Sequence, residues 1–227
     1  MRLNKLELKK IKGDASFRSF YRKKKDNKNS VIVYATREKE KNLLIYDAIN
    51  ALLIKNKILA PQLYKESYKK NFIEIEDFGD NTLFDLLKKR GSKKISFYKR
   101  SINLLHEIQK IKQNQTKTFQ GKNYKIPVYE NNKIFKEATL FSYWYAKKHV
   151  PKKKKSKFNI EINKQIKFLL SNLKLKNNIF VHRDFHVSNL MDYNGKLAII
   201  DTQDALIGNR AYDLASFIDD VRFKTNK

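Results

Sequence analysis

Asp184, Asn189 and Asp201 are the residues of this chain whose types and spacing could do chemistry. Asp184 and Asn189 belong to the segment His-Arg-Asp-Phe-His-Val-Ser-Asn (182–189), and Asp201 ends the apolar run Leu-Ala-Ile-Ile. A carboxylate can accept the proton of an attacking hydroxyl, while an amide oxygen and a second carboxylate suit magnesium. One base and two metal ligands are the minimal apparatus for moving a phosphoryl group from a nucleotide to an alcohol. The pattern therefore predicts a kinase.

A predicted hairpin brings the two metal ligands together. Asn194-Gly195 between two apolar runs is a strong hairpin signal, because both residues tolerate positive φ. With this pair as a two-residue loop, the antiparallel register places Asn189 opposite Ile200 and Ser188 opposite Asp201. The amide of Asn189 and the carboxylate of Asp201 are then near neighbours at the end of a strand.

Other polar residues around this loop have predicted supporting roles. His182 is interpreted as a structural residue, since a ring in such a loop usually packs and hydrogen-bonds to backbone. His186 has two interpretations that stay open: contact with the γ-phosphate region, or a cap on the loop. Asp213, in Tyr-Asp-Leu-Ala, is expected to brace the loop from the start of a helix. Asp204 is left open between such support and contact with substrate.

The elements that must position these residues begin with a β-rich region. The predicted elements are strands at 14–22, 31–35 and 71–76 and a helix at 38–56. The first two strands are expected to form a hairpin. The third stops at Asp-Phe-Gly-Asp (77–80), a glycine-containing break.

The remainder of the chain is predicted to be mainly helical. Its helices fall at 82–89, 96–112, 134–149 and 159–173. The lysine run at 152–155 is interpreted as a solvated loop. A small β region ahead of a larger α region predicts an α+β fold of two lobes with a cleft between them. We place the N-terminal nucleotide-binding lobe at 1–77 and the catalytic lobe at 78–227.

Composition limits both the class of protein and the kind of site. The chain has 227 residues, of which 41% are hydrophobic, and this suits a folded globular protein. It lacks an apolar run of about 18 residues, so we expect a cytoplasmic protein that does not interact with membranes. The absence of cysteine excludes disulfides and thiolate metal sites, so a metal must be bound by oxygen or imidazole.

The net charge of +27 allows nucleic-acid binding as an alternative function. Only nine of the 50 basic residues are arginine, however, and the lysines are spread over the whole chain. Proteins that read nucleic-acid grooves favour the planar guanidinium group. A basic nucleic-acid-binding protein is therefore the least favoured interpretation, and we expect no specific nucleic-acid partner.

The segment 182–189 resembles the catalytic loop of the aminoglycoside phosphotransferase and choline kinase family, protein-kinase-like enzymes that act on small molecules. The resemblance implies that Asp184 is the catalytic base and that Asn189 and Asp201 are the magnesium ligands. It also implies ATP and Mg²⁺ as cofactors and a small-molecule acceptor as the partner.

The nucleotide side carries the same resemblance. Residues 72–78 resemble the strand and hinge beside which such enzymes hold adenine. The resemblance also implies phosphate contact by the backbone around residues 15–17, although Gly13 alone does not make a Gly-x-Gly-x-x-Gly loop. The implied nucleotide-binding residues are Ala15, Ser16, Phe17, Arg18, Glu76 and Phe78.

Three segments narrow the resemblance to one branch of the family. Residues 13–22, 140–145 and 201–215 are similar to the branch that contains the N-acetylmuramate and N-acetylglucosamine anomeric kinases of cell-wall recycling. This implies an amino sugar as the acceptor. A protein kinase is disfavoured, because Thr-Gln follows Asp201 and Asp213 comes only twelve residues later, leaving little room for an activation loop.

The first lobe departs from the wider kinase pattern. The position where kinases place a phosphate-binding lysine is assigned to Tyr34, and Arg18 or Arg22 could replace the lysine or be a solvated strand residue. The missing lysine motivates a second hypothesis, a nucleotide-binding pseudokinase or scaffold without turnover.

Two features concern the acceptor side. Family members continue with further helices after Tyr-Asp-Leu-Ala, so the resemblance implies either a shortened chain or an open acceptor pocket. The aromatic cluster Phe141, Tyr143, Trp144 and Tyr145 has two interpretations, a sugar-stacking surface or core. Core is favoured, because aromatic helical stripes usually pack inward. The sequence leaves open the acceptor, the position phosphorylated and the oligomeric state.

Overall fold

The computed structural model of the chain describes residues 8–11, 17–25, 28–35, 42–89, 94–174 and 176–223. The strands are β1 Leu8–Ile11, β2 Arg18–Lys25, β3 Lys28–Ala35, β4 Leu63–Ser67, β5 Phe72–Glu76, β6 Gln115–Lys117, β7 Asn123–Lys125, β8 Asn177–Val181, β9 Leu190–Tyr193, β10 Lys196–Ile199 and β11 Leu206–Asn209. The helices are α1 Asn42–Lys55, α2 Leu83–Lys88, α3 Lys94–Gln109, α4 Asn131–His149, α5 Lys152–Asn172 and α6 Ala211–Ile218.

The N-terminal strands form one antiparallel sheet. Within the described residues its order is β1-β2-β3-β5-β4. Successive side chains of a strand point to opposite faces, so Val33 of β3 and Ile73 and Ile75 of β5 share one face. These residues pack with Leu43 and Tyr46 of α1 in one apolar cluster. The predicted β2–β3 hairpin is confirmed, although its strands extend further toward the turn than expected.

Helix α1 links this sheet to the rest of the molecule. Its Ile49, Leu52 and Leu53 belong to the largest core cluster, together with Phe180 of β8 and Leu190 of β9. Burial of large aliphatic and aromatic side chains contributes about 1.5–3 kcal/mol each. The sheet region is therefore anchored to the helical region through α1.

The C-terminal half is mainly helical, which confirms the α+β class. One local prediction is wrong: the lysine run 152–155 is the first turn of α5, not a loop. Pro151 precedes the helix, where its fixed φ favours helix initiation, and lysine is itself a good helix former. None of the described helices is long and apolar enough to cross a membrane. The lobe boundary at residue 77 stays a prediction.

The β9–β10 hairpin has the predicted register. Leu190 pairs with Ile199, and Tyr193 pairs with Lys196 across the turn. Asn194 and Gly195 have φ values of 49° and 74°, as a two-residue turn with positive φ requires. The hairpin thus holds the end of the segment 182–189 beside Asp201.

Candidate active site

The catalytic segment, residues 182–189, runs from the end of β8 to the start of β9 and is held by Asp213. The Asp213 carboxylate accepts the backbone N–H groups of His182 at 2.7 Å and Arg183 at 2.9 Å. Asp213 is fully buried in the first turn of α6, and burial raises its pKa to about 6. Arg183 has φ +76°, a conformation that these bonds support. The predicted bracing role of Asp213 is confirmed.

The two histidines of the segment, His182 and His186, are buried. His182 is fully buried, and burial lowers its pKa to about 4, so the ring is neutral at physiological pH. The backbone N–H of His186 donates to the carbonyl of Asp184 at 3.0 Å. The His186 ring nitrogen Nε2 lies 3.3 Å from the Asn189 amide nitrogen. The complete burial of His182 fits its structural interpretation. The contacts of His186 lie within the loop, and its contact with the γ-phosphate region stays a prediction.

Asp184 has the environment of a general base. It is half-buried, and burial raises its pKa, with a further increase from the negative charges of Asp201 and Asp204. A carboxylate with a raised pKa is a better proton acceptor than an ordinary one. The Asn189 side-chain amide donates to the Asp184 carbonyl at 3.0 Å, so the two predicted residues belong to one hydrogen-bonded loop.

Asn189 and Asp201 form a donor set that suits a magnesium ion. The backbone N–H of Ile200 donates to the carbonyl of Asn189 at 3.1 Å, which sets Asp201 beside the Asn189 end of the hairpin. The amide nitrogen of Asn189 is used within the loop, so its oxygen is the atom that can ligate a cation. In the described parts of the chain, no three His, Cys, Asp or Glu residues converge as a metal cluster. Magnesium commonly keeps few protein ligands and fills its other positions with phosphate oxygens and water.

Arg18 brings a positive charge from the sheet to this site. Its guanidinium contacts Asp201 Oδ1 at 2.8 Å and Gln203 Oε1 at 2.6 Å, and only 7% of the side chain is exposed. Arg18 pairs with Ala35 of β3, and directly opposed residues of an antiparallel pair lie on the same face. Tyr34 therefore points to the opposite face from Arg18. The prediction that Tyr34 stands at the lysine position is wrong, because its side chain lies on the face of the sheet opposite Arg18. The cation on the face toward Asp201 is Arg18 of β2.

Arg22, the other predicted cation, braces the hinge. Its guanidinium contacts Asp77 at 2.5 Å and both carboxylate oxygens of Asp80 at 2.8 Å. These bonds tie β2 to the segment after β5. Of the two arginines, only Arg18 lies against the predicted metal ligand.

The segment after Asp201 is held by a hydrogen bond to α1 that the sequence pattern did not predict. The Thr202 hydroxyl donates to the Asn50 side-chain oxygen at 2.7 Å, and both residues are buried. Gln203 also donates to Asp204 at 2.6 Å, which links Arg18 to Asp204 through one side chain. Asn50 lies on a predicted amphipathic helix, and no local pattern distinguishes it from other buried polar residues.

Glu76 and Phe78 line a cavity beside the hinge. The cavity has a volume of about 740 Å³, and its lining residues are Asn29, Tyr64, Glu76, Asp77, Phe78, Gly79 and Tyr193. The rings of Phe78 and Tyr193 are 4.9 Å apart, so Phe78 joins the hinge to the β9–β10 hairpin. Phe17, predicted at the phosphate side, is exposed. Ala15 and Ser16 lie outside the described residues.

The aromatic cluster of α4 is exposed, and its interpretation as core is wrong. Phe141, Tyr143, Trp144 and Tyr145 have exposed fractions of 56%, 57%, 61% and 45%. Helix α4 meets the catalytic segment one turn earlier, where Glu137 accepts a hydrogen bond from Arg183 at 2.7 Å.

Comparison with known proteins gives a consistent result. The phosphotransferase enzyme family matches residues 7–226. An N-acetylmuramate/N-acetylglucosamine kinase of Neisseria meningitidis is 26% identical over 210 residues, which cover 92% of this chain and 60% of the relative. The enzyme of the same name from Pseudomonas aeruginosa is 23% identical over 215 residues, which cover 95% and 60%. The chain thus spans about 60% of the length of these relatives.

Solved structures share the fold at lower identity. The gentamicin complex of APH(2")-IIa superposes with a TM-score of 0.68 at 17% identity, covering 94% of this chain and 70% of that one. The ADP-bound aminoglycoside phosphotransferase APH(2'')-Ib gives a TM-score of 0.65 at 18% identity, with 94% and 71% covered. The two-lobed, protein-kinase-like architecture expected from the sequence is confirmed.

Proposed function

The chain belongs to the phosphotransferase enzyme family, and from this membership we propose that it transfers the γ-phosphoryl group of ATP to a hydroxyl group of an amino sugar. The observation that carries the proposal is the position of Asp184, which lies half-buried on a loop braced by Asp213. Burial, and then the negative charge of Asp201, raise the pKa of Asp184. ATP supplies the phosphoryl group, so we propose the cytoplasm as the compartment.

In the proposed reaction Asp184 accepts the proton of the acceptor hydroxyl. The hydroxyl oxygen forms a bond to the γ-phosphorus as the bond between that phosphorus and the β,γ-bridging oxygen breaks, and ADP leaves. Asp184 is suited to this role because burial raises its pKa. Most of its contribution is to orient the hydroxyl, since phosphoryl transfer depends mainly on positioning and on charge stabilisation.

The negative charge of the phosphates is neutralised from both sides of the proposed cleft. Asn189 and Asp201 would hold Mg²⁺, which when bound neutralises charge on the transferring phosphoryl group. Arg18 is the cation that we assign to the phosphates, because its guanidinium already lies 2.8 Å from Asp201. We propose that Ala15, Ser16 and Phe17 contact the phosphates.

The hinge cavity is the proposed adenine site, with Glu76 and Phe78 on its wall. Structural neighbours solved with bound ADP and with bound AMP-PNP support ATP as the nucleotide. The amino-sugar acceptor is supported by relatives named N-acetylmuramate/N-acetylglucosamine kinase.

A second candidate is a nucleotide-binding scaffold without turnover. It is favoured by one observation, that the cleft-facing cation is Arg18 on β2 and no lysine stands at its partner Ala35 on β3. Incubation with Mg-ATP and a panel of amino sugars, aminoglycosides and choline separates the two candidates. A gain of one phosphate in the mass of an amino sugar supports the kinase. Thermal stabilisation by Mg-ATP with no phosphorylated product supports the scaffold.

A further inference from the structure

Gln203 is a buried polar residue two positions after the proposed metal ligand Asp201, and only 6% of it is exposed. It lies in the turn 202–205, which closes with a hydrogen bond from the Ala205 N–H to the Thr202 carbonyl at 3.1 Å. The Thr202 hydroxyl ties the same turn to α1. A glutamine buried in this way needs defined partners at both ends of its amide, because an unpaired polar group in the interior costs free energy.

The two ends of the Gln203 amide contact groups of opposite charge. Its oxygen Oε1 accepts a hydrogen bond from Arg18 Nη1 at 2.6 Å, and its nitrogen Nε2 donates to Asp204 Oδ2 at 2.6 Å. A guanidinium only donates and a carboxylate only accepts, so these partners fix which end of the amide faces which group. Gln203 therefore joins a cation of β2 to a carboxylate of the C-terminal half.

The guanidinium of Arg18 is held at both of its terminal nitrogens. Nη1 contacts Gln203, and Nη2 contacts Asp201 Oδ1 at 2.8 Å. The planar fork of an arginine can make two such bonds at once in a fixed geometry. The ring centroids of Phe20 and Tyr46 lie 5.7 Å and 5.8 Å from the guanidinium carbon. Contacts from the sheet, from α1 and from the segment 201–203 thus set one orientation of the cation.

The two groups that hold Arg18 differ in charge. Asp201 is negative and is also a proposed ligand of Mg²⁺. Gln203 is neutral, so it holds the guanidinium without cancelling its charge. Asp201 and Asp204 already place two carboxylates around this cation, and a third negative charge at position 203 would make the cluster repel phosphates more strongly. A neutral acceptor at this position therefore suits a cation that has to meet phosphates.

We propose that Gln203 is a positioning residue for nucleotide binding, because its amide orients Arg18 and leaves the positive charge of Arg18 available to the phosphates. This inference rests on the proposed function, in which Arg18 is the cation assigned to the phosphates. It identifies the side chain through which that cation is held.

A double-mutant cycle tests this role through binding and without turnover. The Kd of Mg-AMP-PNP is measured by calorimetry for the wild-type chain, for Gln203→Met, for Arg18→Met and for the double variant. Methionine keeps the length of the side chain but makes neither hydrogen bond, so Gln203→Met should raise the Kd by about tenfold. In the Arg18→Met background the same substitution should change the Kd by less than about twofold, because the cation that Gln203 positions is gone.

The matched control is Gln165→Met, on the exposed side of α5, where the amide donates to Glu161 at 2.9 Å. It should leave the Kd unchanged. If Gln203→Met raises the Kd equally with and without Arg18, Gln203 does not act through Arg18 and its positioning role is wrong.

Gln203→Glu separates the effect of charge from that of shape, and it carries the test if Gln203→Met does not fold. The variant keeps an oxygen for Arg18 but adds a negative charge, so it should weaken Mg-AMP-PNP binding at least as much as Gln203→Met. A Gln203→Glu variant that binds Mg-AMP-PNP as tightly as wild type would overturn the proposal, because a neutral amide would then not be needed. The melting temperature of each variant shows whether it is folded.

The two proposals fail differently in these experiments. An additive cycle in a chain that phosphorylates an amino sugar overturns the role of Gln203 and leaves the kinase. A coupled cycle in a chain that phosphorylates no member of the panel overturns the kinase and leaves Gln203 as a positioning residue of a nucleotide-binding scaffold. A wild-type chain that does not bind Mg-AMP-PNP overturns both.

Discussion

The catalytic segment and the nucleotide side of the cleft are held in place by different interactions. The segment is fixed by two backbone N–H groups that donate to Asp213, a carboxylate that is fully buried. The nucleotide side depends on ion pairs between distant side chains, Arg18 with Asp201 and Arg22 with Asp77. The position of the proposed base thus depends on buried backbone contacts with the nearby helix α6, whereas the position of the proposed phosphate-side cation depends on how the sheet meets the loop region.

The largest expected effect concerns the base. Asp184→Asn removes the proton acceptor while keeping the shape of the side chain, so kcat should fall by roughly a hundred- to ten-thousand-fold. Steady-state kinetics with Mg-ATP and the best acceptor of the panel measures this loss. The melting temperature should change little, because the loop is held through the backbone and through Asp213.

A matched control is Asp219→Asn, an exposed carboxylate at the end of α6. It should keep wild-type kcat. If Asp184→Asn retains more than a tenth of wild-type kcat, Asp184 is not the base.

The same contrast explains what the sequence could predict. The placement of Asp184 and Asn189 on one loop and the hairpin register were predictable, because they follow from short-range rules on loop spacing and two-residue turns. The Arg18 contact to Asp201 joins residues 183 positions apart, and it depends on strand facing and lobe packing that no local pattern encodes. The exposure of Phe141 was also mispredicted, because periodicity identifies an apolar face and not what covers it.

The second prediction tests the nucleotide side with two arginines of one strand. Arg18→Met removes the cation nearest Asp201, so kcat/KM for Mg-ATP should fall by roughly a hundredfold. Arg22→Met removes the hinge brace, so its main effect should be a lower free energy of unfolding, by about 1 kcal/mol. Parallel kinetics and urea unfolding of the two variants measure the difference. Equal losses of kcat/KM in both variants would contradict the separate roles.

The third prediction concerns the brace of the loop. Asp213→Asn leaves a single acceptor oxygen for the N–H groups of His182 and Arg183. A buried donor without an acceptor costs about 2 kcal/mol, so the free energy of unfolding should fall by that amount. Denaturant unfolding measures it, with Asp219→Asn, just after the same helix, as the control. A variant as stable as wild type would show that the loop does not depend on Asp213.

The smallest effect distinguishes the two interpretations that were left open for Asp204. Burial, and then the charges of Asp201 and Asp204, raise the pKa of Asp184, so Asp184 is protonated, and inactive as a base, up to a higher pH than an ordinary aspartate. Asp204→Asn removes one of these negative charges and should lower the pKa of Asp184. The acid limb of the kcat/KM profile, measured against pH, should then move to lower pH while the KM for sugar stays constant. A higher KM for sugar with an unmoved acid limb would instead place Asp204 in contact with the acceptor, and the link from Arg18 through Gln203 would then reach the acceptor as well as the phosphates.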